Sequence, residues 1–189
     1  MIGWIIFGIV LVLVIFVIVW FITTYNKLVK ARNRVKNSWS QIDVQLNRRF
    51  DLIPNLVETT KGYASHEKEI LGAFARARDV YSQANASSDI KGMAEANNML
   101  TSTLSKLIAV SEAYPELKAD AQFQKMMEEL TNTEDKIAYA RQFYNDVVMT
   151  YNNMREVFPS TVVASLFAFK EAELFKVSEE SRQNVKVQF

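Results

Sequence analysis

The sequence predicts an all-α protein, with an N-terminal single-pass transmembrane helix continuing into an antiparallel up-and-down helix bundle. Three observations point there. Residues 1–22, MIGWIIFGIVLVLVIFVIVWFI, hold no charged or strongly polar side chain. Beyond them apolar residues recur at alternating steps of three and four. Glycine (5) and proline (3) are too scarce in 189 residues for a loop-rich or all-β fold.

The apolar run is about 33 Å long as a helix, enough for the ~30 Å hydrocarbon core of a bilayer. Trp4 and Trp20 stand near its ends, where interfacial indoles are expected. A cleaved secretory signal would want basic residues before a shorter apolar stretch and a small-residue cleavage site. Nothing basic precedes this run, and TTYNKLVK follows it. The expected organisation is an anchor over 1–24, a bundle over 25–159 and an aromatic-rich segment with a tail over 160–189.

Val35, Trp39, Ile42, Leu46, Arg49, Ile53 and Leu56 form an apolar stripe interrupted once, by arginine. No glycine or proline lies between Gly8 and Pro54, so one helix can leave the membrane and run to about Gly62, with Pro54 as a potential kink. Ser65 is positioned to cap a second helix from about His66 to Ala84. Asn85–Asp89 is rich in turn-forming residues. Helical character resumes through Met93, Leu100, Leu104, Leu107 and Ile108 and ends near Tyr114-Pro115. The stripe Phe123, Met126, Leu130, Thr133, Ile137, Ala140, Tyr144, Val147, Tyr151, Met154 and Phe158 runs without a miss, and Pro159 stops it. A pattern that long is a bundle seam or coiled coil. The segment after Pro159 carries Val162, Val163, Leu166, Phe167, Phe169, Leu174 and Phe175. It either folds back over one end of the bundle or forms a membrane-surface or partner-docking patch.

The composition narrows the chemistry. Lys+Arg number 22 against 21 Asp+Glu, so the basic footprint of a nucleic-acid binder is missing. No cysteine is present, which removes disulfides, thiolate metal sites and thiol catalysis. The single histidine, His66, cannot supply a zinc-protease helix or a di-iron carboxylate bundle. No G-x-S-x-G elbow, P-loop or G-x-G-x-x-G occurs. Glu128-Glu129 and Glu134-Asp135 are adjacent on a helix, point in different directions and read as solvated charges. No catalytic, cofactor or metal residues are expected.

Two groups of residues remain as candidates. Arg49, the polar slot in its stripe, is expected to be buried and paired by Asp43, Glu112 or Glu134, with Asn145 satisfying remaining donors. Such a network would set helix register. Lys27, Lys30, Arg32, Arg34 and Lys36 form a basic cluster with no acidic residue until Asp43. It suits anionic lipid head groups and, by the positive-inside rule, orients the amino terminus outside and the bundle in the cytoplasm.

The stretch of residues 25–69 carries a longer signature. Tyr25, Asn26, Leu28, Val29, Arg32, Val35, Trp39, Ile42-Asp43-Val44-Gln45-Leu46, Arg48-Arg49, Asp51-Leu52-Ile53-Pro54-Asn55-Leu56-Val57, Lys61, Gly62-Tyr63 and His66-Glu67 closely resemble the LemA family. Glu112-Ala113-Tyr114-Pro115, Leu117-Lys118-Ala119, Phe123, Glu134, Ile137, Arg141, Tyr144-Asn145, Asn152 and Phe158-Pro159 extend the resemblance over nearly the whole chain. Departures gather near the C-terminus: Ala168 replaces a usual glycine of a Gly-Phe pair, and Asn184 stands where a proline commonly precedes the final Lys-Val. The resemblance implies a bacterial cell-membrane protein with a single-pass anchor, a soluble four-helix bundle and no established catalysis. Some members are associated with magnetosome membranes, and others are encoded near membrane-bound metalloproteases, which suggests a scaffold or adaptor.

Three functions stay open. The first is a scaffold or adaptor that self-associates or binds another membrane protein, such as a membrane protease. The second is a sensor holding a small molecule between helices. The third is an unrecognised enzyme.

Overall fold

The computed structural model describes residues 1–60 and 67–176. Gly62, Ser65 and His66, expected at the first helix–helix connection, lie outside the described residues, as does the tail from Ser178. Within them the order is α1 (Ile2–Thr59), α2 (Glu67–Ser87), α3 (Ile90–Ala113), α4 (Pro115–Ala119), α5 (Ala121–Glu156) and α6 (Ser160–Leu166), with no strand among the described residues. The chain is all-α.

α1 is continuous from the apolar run through Pro54. Among the described residues it is the one helix long and apolar enough to cross a membrane, and none of its apolar window is buried by protein. That exposure is what separates it from a core helix.

Two short connections have clear physical causes. α2 ends in a left-handed residue, Ser88 (φ 56°), with the Ser88 N–H donating to Asn85 O at 3.1 Å and the Asp89 N–H to Ala84 O at 2.8 Å. This is a Schellman closure, and Asp89 then caps α3 by accepting from the Lys91 N–H at 3.0 Å. A Cβ on Gly92 would meet Ala84 Cβ at 2.8 Å, so the small residue lets α2 and α3 approach closely. Tyr114-Pro115 ends α3 as expected, but the chain turns once more as α4, with Leu117 buried and Pro115 at its first position. Asp120 then caps α5, accepting from the Phe123 N–H at 2.8 Å.

The described residues divide into two compact units. The bundle unit takes Ser40–Thr60 of the first helical stretch, all of α2, α3 and α4, and α5 up to Phe143. Its direction alternates. Phe50 of α1 makes tilted ring contacts with Phe74 and Tyr81 of α2, Lys106 of α3 pairs with Glu69 of α2, and Arg48 of α1 faces Glu129 of α5. Ile42, Leu46, Ile53 and Leu56 from α1 are buried with Met93, Leu100 and Leu107 from α3. Phe123, Leu130 and Ile137 from α5 are buried as well. These are the stripe positions, so the periodicity is the core.

The N-terminal unit holds Met1–Trp39 and Tyr144–Glu173. Here Trp39 meets Tyr144 edge to face at 5.6 Å, and Leu28, Tyr151, Val163, Ala164 and Phe169 form one buried cluster. The α5 stripe departs from expectation at its end. Phe158 is exposed, because α5 stops at Glu156 and the chain turns away into α6.

Candidate functional site

Arg49 is the most buried charged side chain among the described residues, 2% exposed. Its Nη1 donates to Asn97 Oδ1 at 2.7 Å and its Nη2 to Thr101 Oγ1 at 3.1 Å, both on α3. Nη1 also stands 2.9 Å from Glu134 Oε2 on α5, an ion pair without hydrogen-bond alignment. One guanidinium on α1 therefore ties α3 and α5 together. Burial pulls the Arg49 pKa down, Glu134 pushes it back up, and the nearby Arg141 guanidinium lowers it again. Arg141 in turn lies over the ring of Phe175 at 5.2 Å.

The other residues expected around Arg49 fall elsewhere. Asp43 accepts a short hydrogen bond from the Tyr81 phenol and another from Asn47 Nδ2. Six residues before Arg49, it lies about 120° around the helix from it. Burial first, and then the Asp43 carboxylate, push the Tyr81 pKa well above its ordinary value. Glu112 is exposed, about 16 Å further along α3 than Thr101. Asn145 is half-buried in the N-terminal unit. Asn97 and Thr101 escaped the sequence reading, although Met93, Asn97, Leu100 and Leu104 step by four, three and four. That polar interruption on α3 mirrors the one on α1.

A cleft of about 250 Å³ opens beside this network, lined by Arg49, Thr101, Leu104, Ser105, Leu130 and Glu134 among others. A wider surface groove of about 630 Å³ lies between Val44 and Gln41 of α1 and Tyr139 and Asp135 of α5.

In the N-terminal unit the basic cluster is exposed throughout. Lys27, Lys30 and Arg34 share one helix face by their spacing, while Arg32 and Lys36 lie one turn apart on another. The Arg32 guanidinium sits 5.2 Å from the Phe169 ring centre. The chain after α6 is held along α5 by side chains acting on its backbone. Tyr151 donates to Lys170 O at 2.8 Å, and Tyr144 to Glu173 O at 2.8 Å. Asn152 bonds both ways with Ala172, its amide donating to the carbonyl at 2.9 Å and its Oδ1 accepting from the N–H at 3.0 Å. The aromatic-rich segment thus folds back in part, burying Val163, Ala164 and Phe169, while Val162, Leu166 and Phe167 stay exposed.

Comparison with known proteins agrees with this picture. The model of the LemA family matches residues 38–189. Magnetosome protein MamQ 2 of Paramagnetospirillum magneticum is 27% identical over 175 residues, covering 80% of this chain and 64% of that protein. Protein LemA of Metamycoplasma hominis is 26% identical over 160 residues, covering 85% and 72%. Magnetosome protein MamQ of Magnetospirillum gryphiswaldense is 26% identical over 182 residues, covering 82% and 67%. The chain thus spans just under two thirds of the first of these relatives. None of the three names is that of an enzyme.

Proposed function

This chain belongs to the LemA family, and from that premise we propose that it is a membrane-anchored, non-enzymatic scaffold or adaptor. It acts through self-association or by binding another membrane protein, with its bundle on the cytoplasmic side of a bacterial cell membrane. The observation that carries the reading is α1, one helix that begins as an unburied apolar span and ends as a core element of a helical bundle. A span of this kind restricts the bundle to two dimensions and raises its effective concentration toward partners held in the same membrane.

The polar network supports architecture over chemistry. Arg49 is enclosed by Asn97, Thr101 and Glu134, groups that hold three helices in register. The partners that follow are membrane lipid at Lys27, Lys30, Arg32, Arg34 and Lys36, a second copy of the chain, and another membrane protein. A membrane protease is one candidate for the last, since the resemblance is to a family some of whose members are encoded near membrane-bound metalloproteases.

Purification in mild detergent tests the reading, with analytical ultracentrifugation and mass spectrometry of what copurifies. Discrete multiples of the chain mass, or one dominant partner, are expected. A single monomeric species over a tenfold concentration range, with nothing bound, would overturn it.

A further inference from the structure

No charged side chain occurs from Val157 to Phe169. The antiparallel register of α5 on α1 carries this stretch to a defined level. Trp39 meets Tyr144, Leu28 is clustered with Tyr151, and Met154 borders the same cluster as Trp20, Phe21 and Tyr25. Phe167 rests on Phe21 and Tyr25, with ring centres 5.8 and 4.6 Å apart. Phe21 lies at the end of the apolar run of α1, and Tyr25 follows one turn beyond it.

α6 turns Val163 and Ala164 into that cluster and leaves its other side uncovered. Phe158 is 77% exposed, Leu166 68%, Val157 59% and Val162 52%. A contiguous apolar patch of this kind is seldom idle on a water-soluble surface. It is also continuous in level with exposed Ile18, Val19 and Ile22 of the span. The Ser160 hydroxyl is turned inward, donating to Met154 O at 2.6 Å and to Val157 O at 2.8 Å. Lys27 and Lys30 follow about two turns beyond Phe21, the level of head groups for a span that ends near Ile22.

We propose that the elbow between α5 and α6, through Val157, Phe158, Val162, Leu166 and Phe167, inserts into the interfacial layer of the leaflet that α1 leaves. It is a second, monotopic foot beside the transmembrane helix, and its occupant is lipid. The inference rests on the reading of α1 as a membrane span. Charge-free apolar surface at the acyl–headgroup boundary is favoured there, by the same burial that holds interfacial helices. A lone span is free to rotate and tilt about its axis. A foot set off that axis restrains both.

The absence of cysteine makes single-cysteine variants of the full chain straightforward. Phe158→Cys and Leu166→Cys are labelled with an environment-sensitive NBD dye and reconstituted into phosphatidylcholine–phosphatidylglycerol vesicles. Ile15→Cys serves as the span control. Tyr139→Cys, at a site 76% exposed, is the aqueous control. Labels at 158 and 166 are expected to shift to the blue and to be quenched severalfold more by nitroxide lipid than by iodide, the reverse of the label at 139. A label at 158 and 166 that behaves like that at 139, while the label at 15 remains lipid-quenched, overturns the foot and leaves the anchor standing. A blue-shifted label that neither quencher reaches assigns the patch to a second copy and also overturns it. Loss of lipid quenching at 15 sinks both readings. Val157→Cys and Val162→Cys give an independent second pair.

Discussion

Arg49 and Glu134 form an ion pair whose two ends live in different surroundings: the guanidinium side chain is 2% exposed and the carboxylate side chain 43%. The pair is therefore asymmetric. If Arg49 is removed, Glu134 can turn to water. If Glu134 is removed, Arg49 stays enclosed, facing the Arg141 guanidinium without the anion between them.

Glu134→Ala is accordingly expected to destabilise the chain by about 3–5 kcal/mol, the usual consequence of orphaning a buried charge. Arg49→Met, which keeps the apolar stem and leaves a half-exposed carboxylate that can turn to water, should cost about 1–3 kcal/mol, chiefly through the lost bonds to Asn97 and Thr101. Denaturant melts of the detergent-solubilised variants decide the order. Arg49→Met proving the more damaging of the two would refute the asymmetry.

Ala168 and Ser88 are the two described non-glycine residues with positive φ, 51° and 56°. Ala168 closes α6 as Ser88 closes α2, with its N–H donating to Ser165 O at 3.2 Å and the Phe169 N–H to Ala164 O at 2.9 Å. A Cβ in this region costs about 1–2 kcal/mol, part of which glycine returns by loosening the unfolded chain. Ala168→Gly and Ser88→Gly should each stabilise by about 1 kcal/mol. Unchanged or lowered denaturation midpoints would contradict the closure geometry.

Burial pushes the Tyr144 pKa up to about 12, with the Glu173 carboxylate adding to the effect, and the phenol donates to Glu173 O. A raised folded-state pKa means that the proton is held more tightly in the fold. The contribution is complete below about pH 10, the value of an unperturbed tyrosine, and is lost as pH rises from there through about 12. Tyr144→Phe should therefore reduce the alkaline loss of stability by about 2 kcal/mol over that interval. Tyr81 and Tyr151, also raised by burial, keep the loss from vanishing. Parent and variant losing stability in parallel above pH 10 would exclude this role.

The orientation with the amino terminus outside is tested at Ser87, exposed at the end of α2. Ser87→Cys should resist a membrane-impermeant maleimide in intact cells and react after lysis. Five basic side chains follow the span within 14 residues, and moving them across the bilayer opposes both the membrane potential and inner-leaflet anionic lipid. Labelling before lysis would reverse the topology.

Much of the fold was legible because each element reports itself locally. The charge-free run, the three-and-four stepping on α1 and α5, the turn residues at Asn85–Asp89 and the stop at Pro159 depend only on near neighbours in the chain. Arg49 was legible as a buried cation because it breaks an apolar stripe. The glycine usual at position 168 was legible as a departure, and the positive φ there supplies its cause.

What the sequence by itself determined, then, was the set of long helices, the face that α1 and α5 bury and, at Arg49, a residue too polar for that face. Helical periodicity encodes all three within a few turns. Which polar groups meet was decided only by the tertiary structure. Asn97 and Thr101, and not Glu112, stand beside Arg49, because the rotation and axial register of α3 against α1 place them there. The fastening of residues 170–173 by Tyr144, Tyr151 and Asn152 was likewise invisible, since it links side chains to a backbone some 19 to 29 residues away. Such contacts carry no periodic signal. They follow from how whole helices settle against one another, a choice made by the packing of many apolar side chains at once.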